Sequence, residues 1–311
     1  MKRPLTIDEV MALQYFGMEN SGILKMHLNT FEKLLNENPI LEEYLDKANS
    51  VLDRQEEAGV ISYVWTDAEF PEKLRKIGND CPPIIHLKGN IRLLNERDAV
   101  AVIGARAADK EGNEVAYKLG RKYAQEGNVI VSGLALGCDT SAHKGCLDVG
   151  GKTIAIVGNG LDVCHPKENK WLEQRILQDE GLILSEQPFG VKANPSRLVA
   201  RNRLQAAMSK AVILAQCPEK SGSLHTMRFA RKYGKESLAV KFPVVTSTNA
   251  GNHTLLTQLS STSGKPLATP ILLNTLCFWE DSITKCKNSL SCSSLILRGK
   301  ASRPGGRAPD E

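Results

Sequence analysis

The chain has 311 residues, 41% of them hydrophobic and 24% charged, enough to bury a full core in one or two domains. No apolar run of about 18 residues is present, which excludes a membrane-spanning helix, and Asp8 and Glu9 precede any apolar run, which argues against a secretory signal. The formal net charge of +5 is concentrated in residues 285–311, where six basic residues face two acidic ones, so an anion site in the body must come from local clustering. Eight scattered cysteines without a Cys-x-x-Cys pair fit reduced thiols in a cytoplasmic protein better than a disulfide or zinc framework.

Residues 1–60 read as a small helical domain of helix-hairpin-helix or SAM-like character. Ile7, Val10 and Met11, and later Phe31, Leu34 and Leu35, recur at helical spacing. Residues 61–98 read as a connector, with short strand-like pieces at Ile61–Val64 and Ile84–Leu87 around Pro71, Pro82 and Pro83. From Ala99 the pattern becomes an alternation. Strand-like runs at 99–103, 129–131, 153–157, 182–184, 211–215 and 238–240 are separated by helix-like segments near 110–126, 139–149, 168–179, 201–209 and 222–233. This predicts an α/β domain over 99–270, with a doubly wound, mainly parallel sheet covered on both faces. Residues 271–311 carry clustered serines and a Pro-Gly-Gly with no sustained periodicity, and read as a disordered or non-native ending.

In such sheets the ligand crevice lies outside the carboxyl ends of the strands. The most informative segment, Val129 to Gly145, is an apolar run, a turn through Gly133 and Gly137, and a helix start with Asp139 placed as N-cap. Unpaired N–H groups at a helix start favour phosphate. The other strand ends are similarly equipped: Gly104-Ala105-Arg106; Gly158-Asn159-Gly160, leading to His165-Pro166-Lys167; Glu186, followed by Arg201-Asn202-Arg203; and Lys220-Ser221-Gly222-Ser223. The expected anion-binding rim therefore comprises Gly104, Arg106, Ser132, Gly133, Gly158, Gly160, Lys167, Arg201, Asn202, Arg203, Lys220, Ser221, Gly222 and Ser223, through main-chain donors, hydroxyls and cations.

Each candidate has a plainer reading. Arg106 follows a buried strand and has no obvious local acid partner, which favours a rim cation over an internal ion pair. Arg201 and Arg203 point about 200° apart at a helix start, so one is expected to face the ligand while the other pairs internally, with Glu186 as a partner. Lys167 reads as a phosphate contact or a solvated lysine. Ser221–Ser223 reads as an anion nest or as simple helix capping. Asp139 and His143 share a helical face without a third ligand, which favours a cap and a packed histidine over a metal or acid–base pair. Cys138 and Cys146 read as packing residues.

Seven motifs in order carry a family resemblance. They are Gly-Ala-Arg (104–106), Ser-Gly-Leu-Ala-x-Gly-x-Asp-x-x-Ala-His-x-Gly (132–145), Gly-x-Gly-Leu-Asp (158–162), Pro-Lys-Glu-Asn (166–169), Leu-Ser-Glu (184–186), Arg-Asn-Arg (201–203) and Lys-Ser-Gly-Ser-Leu (220–224). Over about residues 60–242 the chain resembles the DprA/Smf (DNA-processing protein A) family. The resemblance implies an extended Rossmann domain that binds single-stranded DNA in DNA processing and natural transformation, protects incoming strands and loads the RecA recombinase. It also implies a homodimer and no catalysis or cofactor. Departures are Ala105 in place of the family's serine, Leu198-Val199 in place of Phe-Pro, Gln216 in place of an acid, Phe242-Pro243 in place of Pro-Gly, and no winged-helix counterpart. The alternative class is a nucleotide-sensing or nucleotide-hydrolysing protein related to lysine-decarboxylase-like phosphoribohydrolases, whose Pro-Gly-Gly-x-Gly-Thr is unmatched at 220–224. With aromatic content of only 5%, stacking platforms are few, and DNA binding is expected to be mostly electrostatic and indifferent to base sequence.

Overall fold

The computed structural model describes residues 3–258 and 266–273. The ending after Leu273, expected to lack fixed structure, lies outside the described residues. The chain opens with four helices, α1 (Ile7–Tyr15), α2 (Asn20–Ile23), α3 (Leu28–Glu37) and α4 (Ile40–Glu57). They are followed by β1 (Val60–Val64), α5 (Glu72–Arg75) and β2 (Ile84–Gly89). The alternating region then runs β3 (Ala99–Ile103), α6 (Lys110–Gln125), β4 (Val129–Ser132), α7 (Cys138–Leu147), β5 (Thr153–Val157), α8 (Lys170–Gln178) and β6 (Leu182–Ser185). It continues with α9 (Pro195–Ala200), α10 (Asn202–Met208), β7 (Ala211–Leu214), α11 (Ser223–Lys232), β8 (Glu236–Lys241), α12 (Ala250–Thr257) and β9 (Thr269–Leu272).

All nine of these strands form one sheet in the order β1-β2-β6-β5-β4-β3-β7-β8-β9. From β6 to β9 every neighbouring pair is parallel, while β1–β2 and β2–β6 are antiparallel. The stretch expected to be a connector therefore contributes two strands to the sheet. Val60 pairs with Lys88, and His86 pairs with Ser185.

The central strands are buried on both faces, as their unbroken apolar runs require. Successive side chains alternate between the faces. Ile154 and Ile156 of β5 join one core with Leu204, Met227, Ala230 and Leu255, whereas Ala155 and Val157 join the other. That second core also contains Val10, Met11, Leu13, Ile23, Phe31, Ala48 and Val51 of the N-terminal helices. Gln55 of α4, 1% exposed, reinforces the join by accepting from the main chain of Phe189 at 3.0 Å.

The chain moves from β3 outward through β4, β5 and β6, then returns to the opposite side of β3 with β7. The loops after β3 and β7 therefore diverge, and a crevice opens between them at the strand ends.

Candidate nucleic-acid interface

Two adjoining cavities occupy this position. The first, about 450 Å³, lies over the β3–β7 switch and is lined by Gly104, Ala105, Arg106, Asp139, Arg201, Asn202, Gln205 and Lys220–Ser223. The second, about 440 Å³, lies toward β4 and is lined by Gly133, Ala135, Leu136, His165–Glu168 and Leu198. Arg106, Ala135, Leu198 and Arg201 line both, so two arginines stand where the cavities adjoin.

Arg201 is held from below. It is 4% exposed, with Nη2 donating to the carbonyl of Gly133 at 2.9 Å and Nη1 to Asn202 Oδ1 at 3.1 Å, while Nε has no partner. A Cβ on residue 133 would lie 2.1 Å from Nη1, so only glycine lets the guanidinium sit on the turn. Burial lowers the Arg201 pKa to about 10, against the pull of Asp139 upward and with Arg106 adding to the depression. Arg106 itself is exposed at the β3 end, and no acid in the described residues pairs with it. Lys167 and Lys220 are exposed at the mouths of the two cavities. Asn202 donates to the carbonyl of Gly222 at 3.3 Å, which ties the α10 start to the α11 start. Ser223 Oγ donates to the carbonyl of Gly104 at 2.7 Å, fixing α11 against the β3 loop, and its N–H meets Ser221 Oγ at 3.3 Å.

Several expected rim residues have other partners. Ser132 is fully buried and spends its hydroxyl on the carbonyl of Val102 at 2.7 Å, so it faces the sheet and not the crevice. The N–H of Gly133 donates to Asp139 Oδ2 at 3.1 Å, and that of Ala135 to the same oxygen at 3.4 Å. Asp139 is thus not the helix cap, a position held by Gly137 with φ +76°. Its carboxylate fills the nest that a phosphate would occupy, and burial raises its pKa despite Arg201 and these N–H groups. Gly160 donates its N–H to Val191 at 2.8 Å, and Gly158 packs beneath Arg197 and Leu198 of α9. Neither lines the two cavities. Arg203 is the internal member of its pair: Nη1 and Nη2 meet Glu186 at 2.7 and 2.5 Å, and Nε donates to the carbonyl of Asp80 at 2.7 Å. His143 is buried, with Nδ1 2.7 Å from Thr153 Oγ1.

The α9 wall was not anticipated from the sequence. Its signal was present in Asn194-Pro195, an N-cap followed by a first-turn proline; Asn194 Oδ1 accepts from the N–H of Arg197 at 2.8 Å. Gln205 and Thr226, both 1% exposed on the cavity floor, gave no sequence signal.

A profile of the family described as DNA recombination-mediator protein A matches residues 62–266. The chain belongs to this family. The DNA processing protein DprA of Streptococcus pneumoniae is 35% identical over 266 residues, covering 81% of this chain and 93% of that protein. Protein Smf of Synechocystis is 32% identical over 240 residues, and there the match spans only 54% of the relative's length. The solved DprA structure from S. pneumoniae superposes with a TM-score of 0.66 at 31% identity, covering 86% of this chain and 90% of that one. A Helicobacter pylori DprA structure, described for its single-stranded DNA binding mode, gives 0.59 at 29% identity over 72% and 96%. Among the described residues no helix is long and apolar enough to cross a membrane.

Proposed function

We propose that this chain binds single-stranded DNA along the strand-end crevice and delivers it to RecA, as a non-enzymatic homodimer in the cytoplasm. The observation that carries the reading is the pair of arginines shared by the two cavity linings. Arg106 is free at the surface, and Arg201 is buried behind it with an unpartnered Nε. Lys167 and Lys220 extend the positive edge on either side, so a polyanion crossing the crevice meets cations in sequence. The H. pylori relative, described for binding single-stranded DNA, supports the same assignment. RecA delivery and dimer formation rest on family membership alone. A non-catalytic role is supported by Asp139, the acid lining the first cavity, whose carboxylate is engaged by main-chain N–H groups.

The test is a titration with labelled oligo-dT at several salt concentrations, with free mononucleotides as competitors. Arg106→Ala should weaken binding alike for all base sequences, and should flatten the slope of log K against log salt by about 0.7, one phosphate contact on a single strand. Unchanged affinity with a lowered melting temperature would make Arg106 a structural residue. Displacement by mononucleotides with turnover would favour a nucleotide-hydrolysing protein instead. RecA ATPase on strands coated with single-strand-binding protein tests the delivery step; no stimulation at normal DNA affinity would remove it.

A further inference from the structure

The two cavities leave one nearby feature unused. Trp171, the second residue of α8, is 46% exposed, unusual for the side chain with most apolar surface to lose. It stands close to the second cavity. Lys167, on that cavity's lining, precedes it by four residues of continuous helical turn, a rise of roughly 6–8 Å. The connection is rigid. Asn169 Nδ2 donates to the carbonyl of Leu134 at 2.7 Å and to Thr140 Oγ1 at 2.9 Å, and Thr140 Oγ1 donates to the carbonyl of Ala135 at 2.7 Å. The start of α8 is thereby pinned to the turn that floors the cavity. Leu136, 41% exposed, adds apolar surface to the lining of that cavity. Lys144 of α7 places its ammonium 5.9 Å from the centre of the indole.

We propose that Trp171 is a stacking platform for one base of a single strand leaving the second cavity, with Lys144 and Lys167 contacting the flanking phosphates. An indole face beside lysines is the combination that single-strand binders use, since every base offers a π-face and every link a charge. A protein partner would require a larger apolar patch. Lys170 is engaged by Glu173 at 3.0 Å, which leaves Lys144 beside the indole and Lys167 on the cavity lining as the cations for the strand. The inference rests on the crevice being a DNA site and extends that site beyond the rim.

The experiment is tryptophan fluorescence and anisotropy of the full chain with oligo-dT of graded length, for wild type, Trp171→Phe and Trp171→Ala, with circular dichroism to verify folding. Stacking predicts that dT quenches the wild-type emission and that Trp171→Phe removes this quench while holding affinity within about two-fold. Trp171→Ala should lose at least about five-fold on the longer oligomers, the low end of base–aromatic stacking, and little on the shortest. Full affinity of Trp171→Ala at every length, or a quench that persists in Trp171→Phe, overturns the inference and leaves the crevice assignment intact. Wild-type protein that binds no oligo-dT overturns the crevice assignment and this inference with it.

Discussion

Arg203 was expected at the DNA rim, and its structural position makes a sharp test. The guanidinium and the Glu186 carboxylate are 9% and 6% exposed, and the two groups meet through both terminal nitrogens at 2.7 and 2.5 Å. Burial alone would push the arginine pKa down, but the Glu186 charge and its hydrogen bonds more than reverse that, so the net shift is upward. Arg203→Ala strands a carboxylate in the interior and removes donors from the carbonyls of Asp80 and Ala200. Breaking a buried pair from one side costs about 3–5 kcal/mol, which lowers the melting temperature by roughly 5–9 °C in a chain of this size. Arg203→Leu combined with Glu186→Leu should recover most of that loss, because no uncompensated charge remains. Thermal melts followed by circular dichroism, paired with oligo-dT titration at a temperature where all variants are folded, separate stability from binding. The expected result is a large melting shift with near-normal affinity. An unchanged melting temperature with weakened binding would return Arg203 to the DNA surface and refute the reasoning.

Asp139→Asn removes a negative charge from beside Arg201 while leaving an oxygen to accept from Gly133, so single-stranded DNA should bind a few-fold more tightly at low salt, and weaker binding measured by anisotropy would show that the carboxylate instead holds Arg201 in its active position. His86 and His143 are fully buried, and their pKa values fall to about 3, through burial in both and through Arg201 in addition at His143. Because the unfolded chain protonates near 6.5 and the folded one does not, their contribution is complete above pH 6.5 and is lost as pH falls toward 3. Melting at pH 5 should show a loss of about 4 kcal/mol relative to pH above 7, and His86→Gln should halve the slope; a flat profile between pH 7 and 5 would refute the burial argument.

Much of the sheet could be read from the sequence, because strands buried on both faces leave runs of β-branched residues and alanine without a charge, such as Ala99–Ile103 and Thr153–Val157. What escaped were features set by distant partners. Pro82 and Pro83 suggested a connector, yet the chain leaving Pro83 enters β2, which pairs with β6 about 100 residues later. The expectation that one of Arg201 and Arg203 faces inward, toward Glu186, followed from helical geometry and matches the contacts found. Which of the two it would be depended on Gly133 and Asp80, brought together only by the fold.

The glycine turn after β4 shows why a phosphate-like pattern is not in itself a phosphate site. A strand, a glycine turn and a helix start generate unpaired N–H groups that require an acceptor. In this chain the acceptor is covalently present, since Asp139 lies six residues after Gly133 and its Oδ2 takes both N–H groups. The ligand is then left to side chains, and the turn contributes in a different way. The carbonyl of Gly133 holds Arg201, and the missing Cβ gives the guanidinium its place at the crevice. The same residues that suggested an anion cradle thus build the seat of a cation. Binding energy in this crevice should accordingly follow salt concentration through arginine and lysine charge more than through the fixed dipoles of the turn.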